Sequence, residues 1–162
     1  MSINKIAEDL LKSEGHRDDM TDREKTRRQK ANHVIGVLGN LRGQMHEEKA
    51  LRACDNKKYW PSYVIAIREA LKIEDEKEQT DMVVITSDVG RIRVQIKSSQ
   101  AEADKFFGNG YLRDYWYLKD HIAMVVVNKD ETLKTTAQKI FREVGRIRQI
   151  RLADDKRRSG LG

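Results

Sequence analysis

A chain of 162 residues, 38% apolar and 36% charged, has room for one domain with a modest core, and much of its charge belongs on solvated helix faces. Lys and Arg number 32 against 26 Asp and Glu, a formal net charge of +6 that suits a polyanionic partner without requiring one. The lone Cys54 excludes an intrachain disulfide and a thiolate zinc site, and His16, His33, His46 and His121 are scattered without metal-ligand spacing.

The N-terminal stretch is charged throughout and has no signal-peptide pattern. The most apolar segment, IAMVVVN, is far shorter than the roughly 20 residues that cross a bilayer, so a cytoplasmic protein with no membrane partner is expected. Residues 3–12 predict a short amphipathic helix, with Ile3, Ile6, Leu10 and Leu11 on one side and Gly15 as its stop. Residues 1–20 thus form a helical extension. Thr21 and Glu24 have capping-box spacing and start a second helix. Its first turns carry Arg23, Lys25, Arg27, Arg28 and Lys30, which read as a solvated face or as a phosphate-contacting arm. From Ala31 the pattern turns amphipathic: Val34, Leu38, Leu41 and Met45 recur at helical spacing to about Cys54. Gly36, Gly39 and Gly43 weaken this helix and permit close packing against a sheet.

DNKKYWPS breaks the chain at its only proline, Pro61. YVIAIRE then reads as a strand with Tyr63, Ile65 and Ile67 alternating, and ALKIEDEKEQT as an acidic connection. DMVVITS and RIRVQIKSS are two further strands. Ser99 and Glu102 cap a short helix, QAEADKFF. IAMVVVN suits a central strand buried on both faces. DETLKTTAQKIFREVGRIRQI is a helix with Leu133, Ala137, Ile140, Phe141 and Val144 inward, and residues 151–162 form a basic, flexible tail. The expected fold is therefore α/β: one domain over residues 21–150, with helices covering a central mixed sheet.

The hairpin DMVVITSDVGRIRVQIK concentrates the chemistry. A three-residue loop Asp88-Val89-Gly90, with Gly90 in the left-handed conformation, would pair Ser87 with Arg91, Val83 with Gln95 and Asp81 with Lys97. Side chains alternate along a strand, so Asp81, Gln95 and Lys97 share one face. Met82, Val84, Ile92, Val94 and Ile96 share the other, which must be core. Two readings fit the polar face. One is an Asp81–Lys97 salt bridge beside a hydrogen-bonded glutamine. The other is a hard-oxygen site for Mg²⁺ or Mn²⁺ with a lysine beside it, equipped for phosphodiester hydrolysis.

Asp81 followed on the next strand by Gln95-Ile96-Lys97 resembles the PD-(D/E)XK nuclease superfamily, which includes restriction enzymes and archaeal Holliday-junction resolvases. The helix, three strands, helix, strand order from about residue 30 to 128 resembles that family's restriction-endonuclease-like αβββαβ core. Arg42-Gly43 followed by Glu47 stands where resolvase-like members carry a helical glutamate. Thr80 replaces the proline before the aspartate, and Gln95 replaces the acidic residue. A neutral amide can bind a cation through its oxygen but cannot act as a base.

The resemblance implies that Asp81, Gln95, the Ile96 carbonyl and Glu47 hold Mg²⁺ (or Mn²⁺), and that Lys97 positions a water at the scissile phosphate. It implies DNA as partner and a homodimer as one arrangement for cutting two strands. The alternative is a nuclease fold kept without catalysis, as a nucleic-acid-binding or complex-forming module. Arg42, Arg93, Arg113 and Lys119 are the candidate nucleic-acid contacts. Arg113 and Lys119 interleave with Tyr111, Tyr115, Trp116 and Tyr117, a pattern that fits stacking on unpaired bases, a cover for a sheet edge or a dimer contact. Glu74, Asp75 and Glu78, just before Asp81, read as a solvated acidic loop in preference to a source of a second metal ligand. No glycine-rich phosphate loop, nucleophile elbow or histidine cluster points to other chemistry.

Overall fold

A computed structural model describes residues 22–108 and 119–160. The helix expected over residues 3–12, the capping Thr21, and Tyr111, Arg113, Tyr115, Trp116 and Tyr117 lie outside the described residues. The chain divides into two compact units, Met1–Arg42 and Gly43–Gly162, where the sequence places the boundary near residue 20.

Helix α1 (Asp22–Cys54) runs through that boundary. In the first unit it carries Val34, Ile35, Val37, Leu38 and Leu41 with 39% to 52% of their surface exposed. The expected apolar stripe is therefore about half exposed along these turns. A Cβ added at Gly36 or Gly39 would meet nothing within 4 Å, so the close approach those glycines permit is not used. Met45 is likewise exposed.

The second unit holds a four-stranded sheet in the order β1-β2-β3-β4. Its strands are β1 (Val64–Glu69), β2 (Met82–Thr86), β3 (Gly90–Lys97) and β4 (Ile122–Val126). The first three are an antiparallel meander, and β4 runs parallel to β3. The sheet is mixed and flanked by helices, as expected. β4 lies at the edge of this order, not in the centre, because it pairs only with β3 among the described strands. A bulge between Val64 and Ala66 breaks the alternation of β1. It turns Ile65 out to 60% exposure, while Tyr63 and Ile67 pack against the core.

One face of the sheet is apolar. Met82, Val84, Ile92, Val94 and Ile96 meet Ala123 and Val125 there. Helix α4 (Leu133–Ser159) covers this face with Ala137, Ile140, Phe141, Val144 and Ile147, and the last turns of α1 add Ala50, Ala53 and Cys54. Thr132 caps α4 by accepting the Thr135 N–H at 3.1 Å. The tail expected from residue 151 is helical through Ser159, whose hydroxyl bonds the carbonyls of Asp155 and Lys156. Lys156, Arg157 and Arg158 sit in this last turn, where the helix dipole favours cations.

The expected acidic loop is a helix, α2 (Lys72–Glu78). Glu74 organises it: its carboxylate accepts the Leu71 N–H at 2.8 Å and pairs with both Arg68 and Arg91. Glu74 is 5% exposed, far from a solvated loop residue, and these partners hold its carboxyl down at about 2. The helix ends at Gln79 in the left-handed conformation (φ 50°), with the N–H groups of Gln79 and Thr80 returning to the carbonyls of Asp75 and Glu74. This turn delivers the chain to Asp81.

Helix α3 (Gln100–Gly108) follows β3 at once. Ser99 accepts the Glu102 N–H at 3.2 Å, and Glu102 reaches back to the N–H and hydroxyl of Ser98.

Candidate active site

The β2–β3 hairpin closes at Thr86 and Gly90. The Thr86 hydroxyl donates to the Gly90 carbonyl at 2.9 Å and accepts the Val89 N–H, while Gly90 takes φ 71°. The loop still has three residues, Ser87-Asp88-Val89, but sits one residue earlier than the expected Ser87–Arg91 closure, so Val83 faces Arg93 and not Gln95. Asp81 stands just before β2, opposite neither Lys97 nor a residue of the regular ladder: its N–H donates at 3.0 Å to the carbonyl of Val94, the residue that pairs with Met82. A slip of two residues keeps every side chain on its face. Gln95 and Lys97 therefore remain on one side of β3, as the sequence implies, and the Asp81 carboxylate reaches the Ile96 N–H between them.

Asp81 is fixed by its own backbone and side chain. Its carbonyl accepts the Ala70 N–H at 3.0 Å from the β1 side. Its Oδ2 accepts the Ile96 N–H at 2.5 Å, across the strands. The salt bridge to Lys97 is not formed among the described residues; the carboxylate bonds backbone instead. Burial pushes the Asp81 carboxyl up to about 7. The Ile96 N–H pulls it down, Glu47 and Asp75 push it up further, and the Lys97 ammonium opposes them.

Glu47, on the α1 turns within the second unit, belongs to the same group. Burial raises its carboxyl above the ordinary value; Asp75 and Glu69 add to this and Lys97 counters it. Gln95 is 5% exposed, and its Oε1 is buried with no hydrogen-bond partner. An orphaned acceptor of this kind costs roughly 1–3 kcal/mol, so it is a natural place for a cation or a donor.

Glu47, Asp81, Gln95 and Lys97 are thus brought to one end of the sheet. Two further carboxylates, Glu69 at the end of β1 and Asp75 on α2, act on the same group; the sequence reading missed Glu69 and placed Asp75 in a solvated loop in preference to the site. The signal for Asp75 was there: Glu74, Asp75 and Glu78 precede Asp81 within one helical turn or two, and helical spacing splits them between a buried anchor and the site. Among the described residues no three His, Cys, Asp or Glu side chains close into a metal sphere of their own. The available oxygens are carboxylates, the Gln95 amide and backbone carbonyls, a hard set suited to Mg²⁺ or Mn²⁺.

The candidate nucleic-acid contacts are less uniform. Arg93 is not a free cation: only 17% of its side chain is exposed, and it lies 3.8 Å from Glu78. Arg42 is exposed on α1 in the first unit. Lys119 is exposed, and its carbonyl accepts a bond from Arg146. Arg113 lies outside the described residues.

Comparison with known proteins finds no matching family model, no matching curated protein and no matching solved structure.

Proposed function

We propose that this chain is a divalent-metal-dependent nuclease of the PD-(D/E)XK type, hydrolysing phosphodiester bonds in DNA. The observation that carries the reading is the buried, partnerless Gln95 Oε1 beside a half-buried Asp81 whose carboxyl lies near 7, with Glu47 and Lys97 in the same electrostatic group. An ordinary surface face would leave neither an unpaired buried acceptor nor a desolvated carboxylate. The order of helix, antiparallel meander, helix and parallel strand also fits a restriction-endonuclease-like core.

Asp81, Gln95 Oε1, the Ile96 carbonyl and Glu47 would hold Mg²⁺ or Mn²⁺. When bound, the cation supplies Lewis-acid neutralisation of the charge that builds on the phosphate. The chain's own residues do the rest. Lys97 donates N–H bonds to the attacking water and to a phosphate oxygen, aligning one with the other. Gln95 lends an oxygen but cannot take a proton. The proton of the attacking water therefore passes to Glu47, whose carboxyl already holds protons more tightly than usual. The water oxygen bonds to phosphorus as the P–O bond to the leaving oxygen breaks, and the leaving oxygen takes a proton from bulk water.

The test is cleavage of linear, nicked, branched and single-stranded DNA with Mg²⁺, Mn²⁺ or EDTA. The native chain is expected to cut at least one substrate only with metal. Asp81→Ala and Lys97→Ala are expected to lose about 10²-fold or more in rate while still shifting DNA in a gel. DNA binding without any cutting would replace this reading with the non-catalytic module.

A further inference from the structure

We infer that Phe106 is the positioning residue of Lys97: its ring holds the ammonium in place without using any of the N–H donors. The catalytic meaning of this inference rests on the nuclease reading, whereas the seating of Lys97 on the ring does not.

Lys57 and Lys58 also stand over rings, those of Trp60 and Tyr59 at 5.5 and 4.9 Å, but two lysines deeper in the fold are held by spending their donors. Lys49 donates to the carbonyls of Asn128 and Lys129 at 2.7 and 2.8 Å. Lys139 donates to the Val126 carbonyl and pairs with Glu131. Lys97 forms no such bond among the described residues; its ammonium stands 5.3 Å from the centroid of the Phe106 ring. A ring face attracts a cation through its quadrupole and favours the charged form, yet it accepts no conventional hydrogen bond. All three N–H donors stay available for water and phosphate. An ion pair would consume one or two of them and offset the charge.

The ring is itself held. Phe106 meets Phe107 edge to face, with centroids 5.5 Å apart and planes at 84°. Helix α3 is anchored at its start by the Ser98, Ser99 and Glu102 bonds and by the buried Ala103. Phe106 lies one turn beyond Glu102, so the cap that follows Lys97 in sequence also fixes the ring above it. A single short segment, residues 97–106, thus carries both the amine and its support.

The test uses the full chain with ¹³C-labelled lysine. The Lys97 Hε signal, identified by its loss in Lys97→Ala, is expected upfield of lysines with no ring beside them, such as Lys49 and Lys139, because of the ring current; Lys57 and Lys58, over Trp60 and Tyr59, are set apart by their own substitutions. Phe106→Leu should return it to the common position and lower kcat for DNA cleavage about three- to tenfold with KM unchanged. Phe106→Trp should restore both. An unshifted Lys97 signal in the native chain overturns the inference, as does a Phe106→Leu variant that loses the shift with kcat intact. If the native chain cuts no DNA, the nuclease reading fails, and the Lys97 signal alone decides whether the ring seats the amine.

Discussion

At the scale of the residue, Asp81 is held in a costly state. Its carboxyl is desolvated, faces two other carboxylates and retains one strong donor, the Ile96 N–H. In the unfolded chain the same group ionises near 3.8; in the fold it does so near 7. The folded state therefore binds the extra proton between those values. The stability associated with it is fully present below about 3.8 and is lost as pH rises through about 7. Asp81→Asn keeps an oxygen for the Ile96 N–H and removes the charge. In chelator, its stability should be close to that of the native chain near pH 4 and exceed it at pH 8 by about 4 kcal/mol, with a correspondingly higher melting temperature. A thermal melt series across that range checks this. Equal melting at pH 8 would mean that Asp81 is not desolvated.

At the scale of the element, α2 is the piece that aims Asp81. Its buried Glu74 ties α2 to β1 through Arg68 and to β3 through Arg91. This group has the opposite sign to Asp81. Its folded carboxyl lies at about 2, against an ordinary 4.5, so its contribution is present above 4.5 and is lost as pH falls through about 2. Glu74→Gln should lower stability at neutral pH by leaving two guanidinium groups without their partner. The gap to the native chain should narrow below pH 4.5 and close near 2, as followed by circular dichroism during acid titration. A gap that stays constant would show that the loss is one of packing.

The same element shows why the sequence was only partly legible. Seven of the eleven residues in ALKIEDEKEQT are charged or amide-bearing, which looks like a solvated connection. The burial of Glu74 depends on Arg91, 17 positions away, and nothing local signals it. The hairpin was more readable. Alternation fixed which side chains share a face, and Gly90 marked the turn. The pairing still slipped by two, because the Thr86 hydroxyl bonds decide where the ladder closes.

At the scale of the whole molecule, the element order and mixed sheet follow from patterns that period and punctuation carry. The exposed apolar residues of α1 do not follow, since helical spacing tells which face is apolar but not whether anything covers it. Glu47, Asp81, Gln95 and Lys97 come together because the last turns of α1, the start of β2 and the end of β3 meet at one end of the sheet. Glu69 and Asp75 complete the charge around them and escape a motif, since they come from two other elements.

The central claim is that this group binds a divalent cation through Asp81. It is tested most directly by calorimetric titration of the full chain with Mn²⁺ in buffers of different protonation enthalpy. At pH 7 Asp81 is about half protonated, so uptake of one Mn²⁺ should release roughly half a proton, falling toward none above pH 8. Asp81→Asn should lose both the uptake and the proton. Mn²⁺ uptake that persists unchanged in Asp81→Asn, or no uptake by the native chain at any pH, would contradict the account.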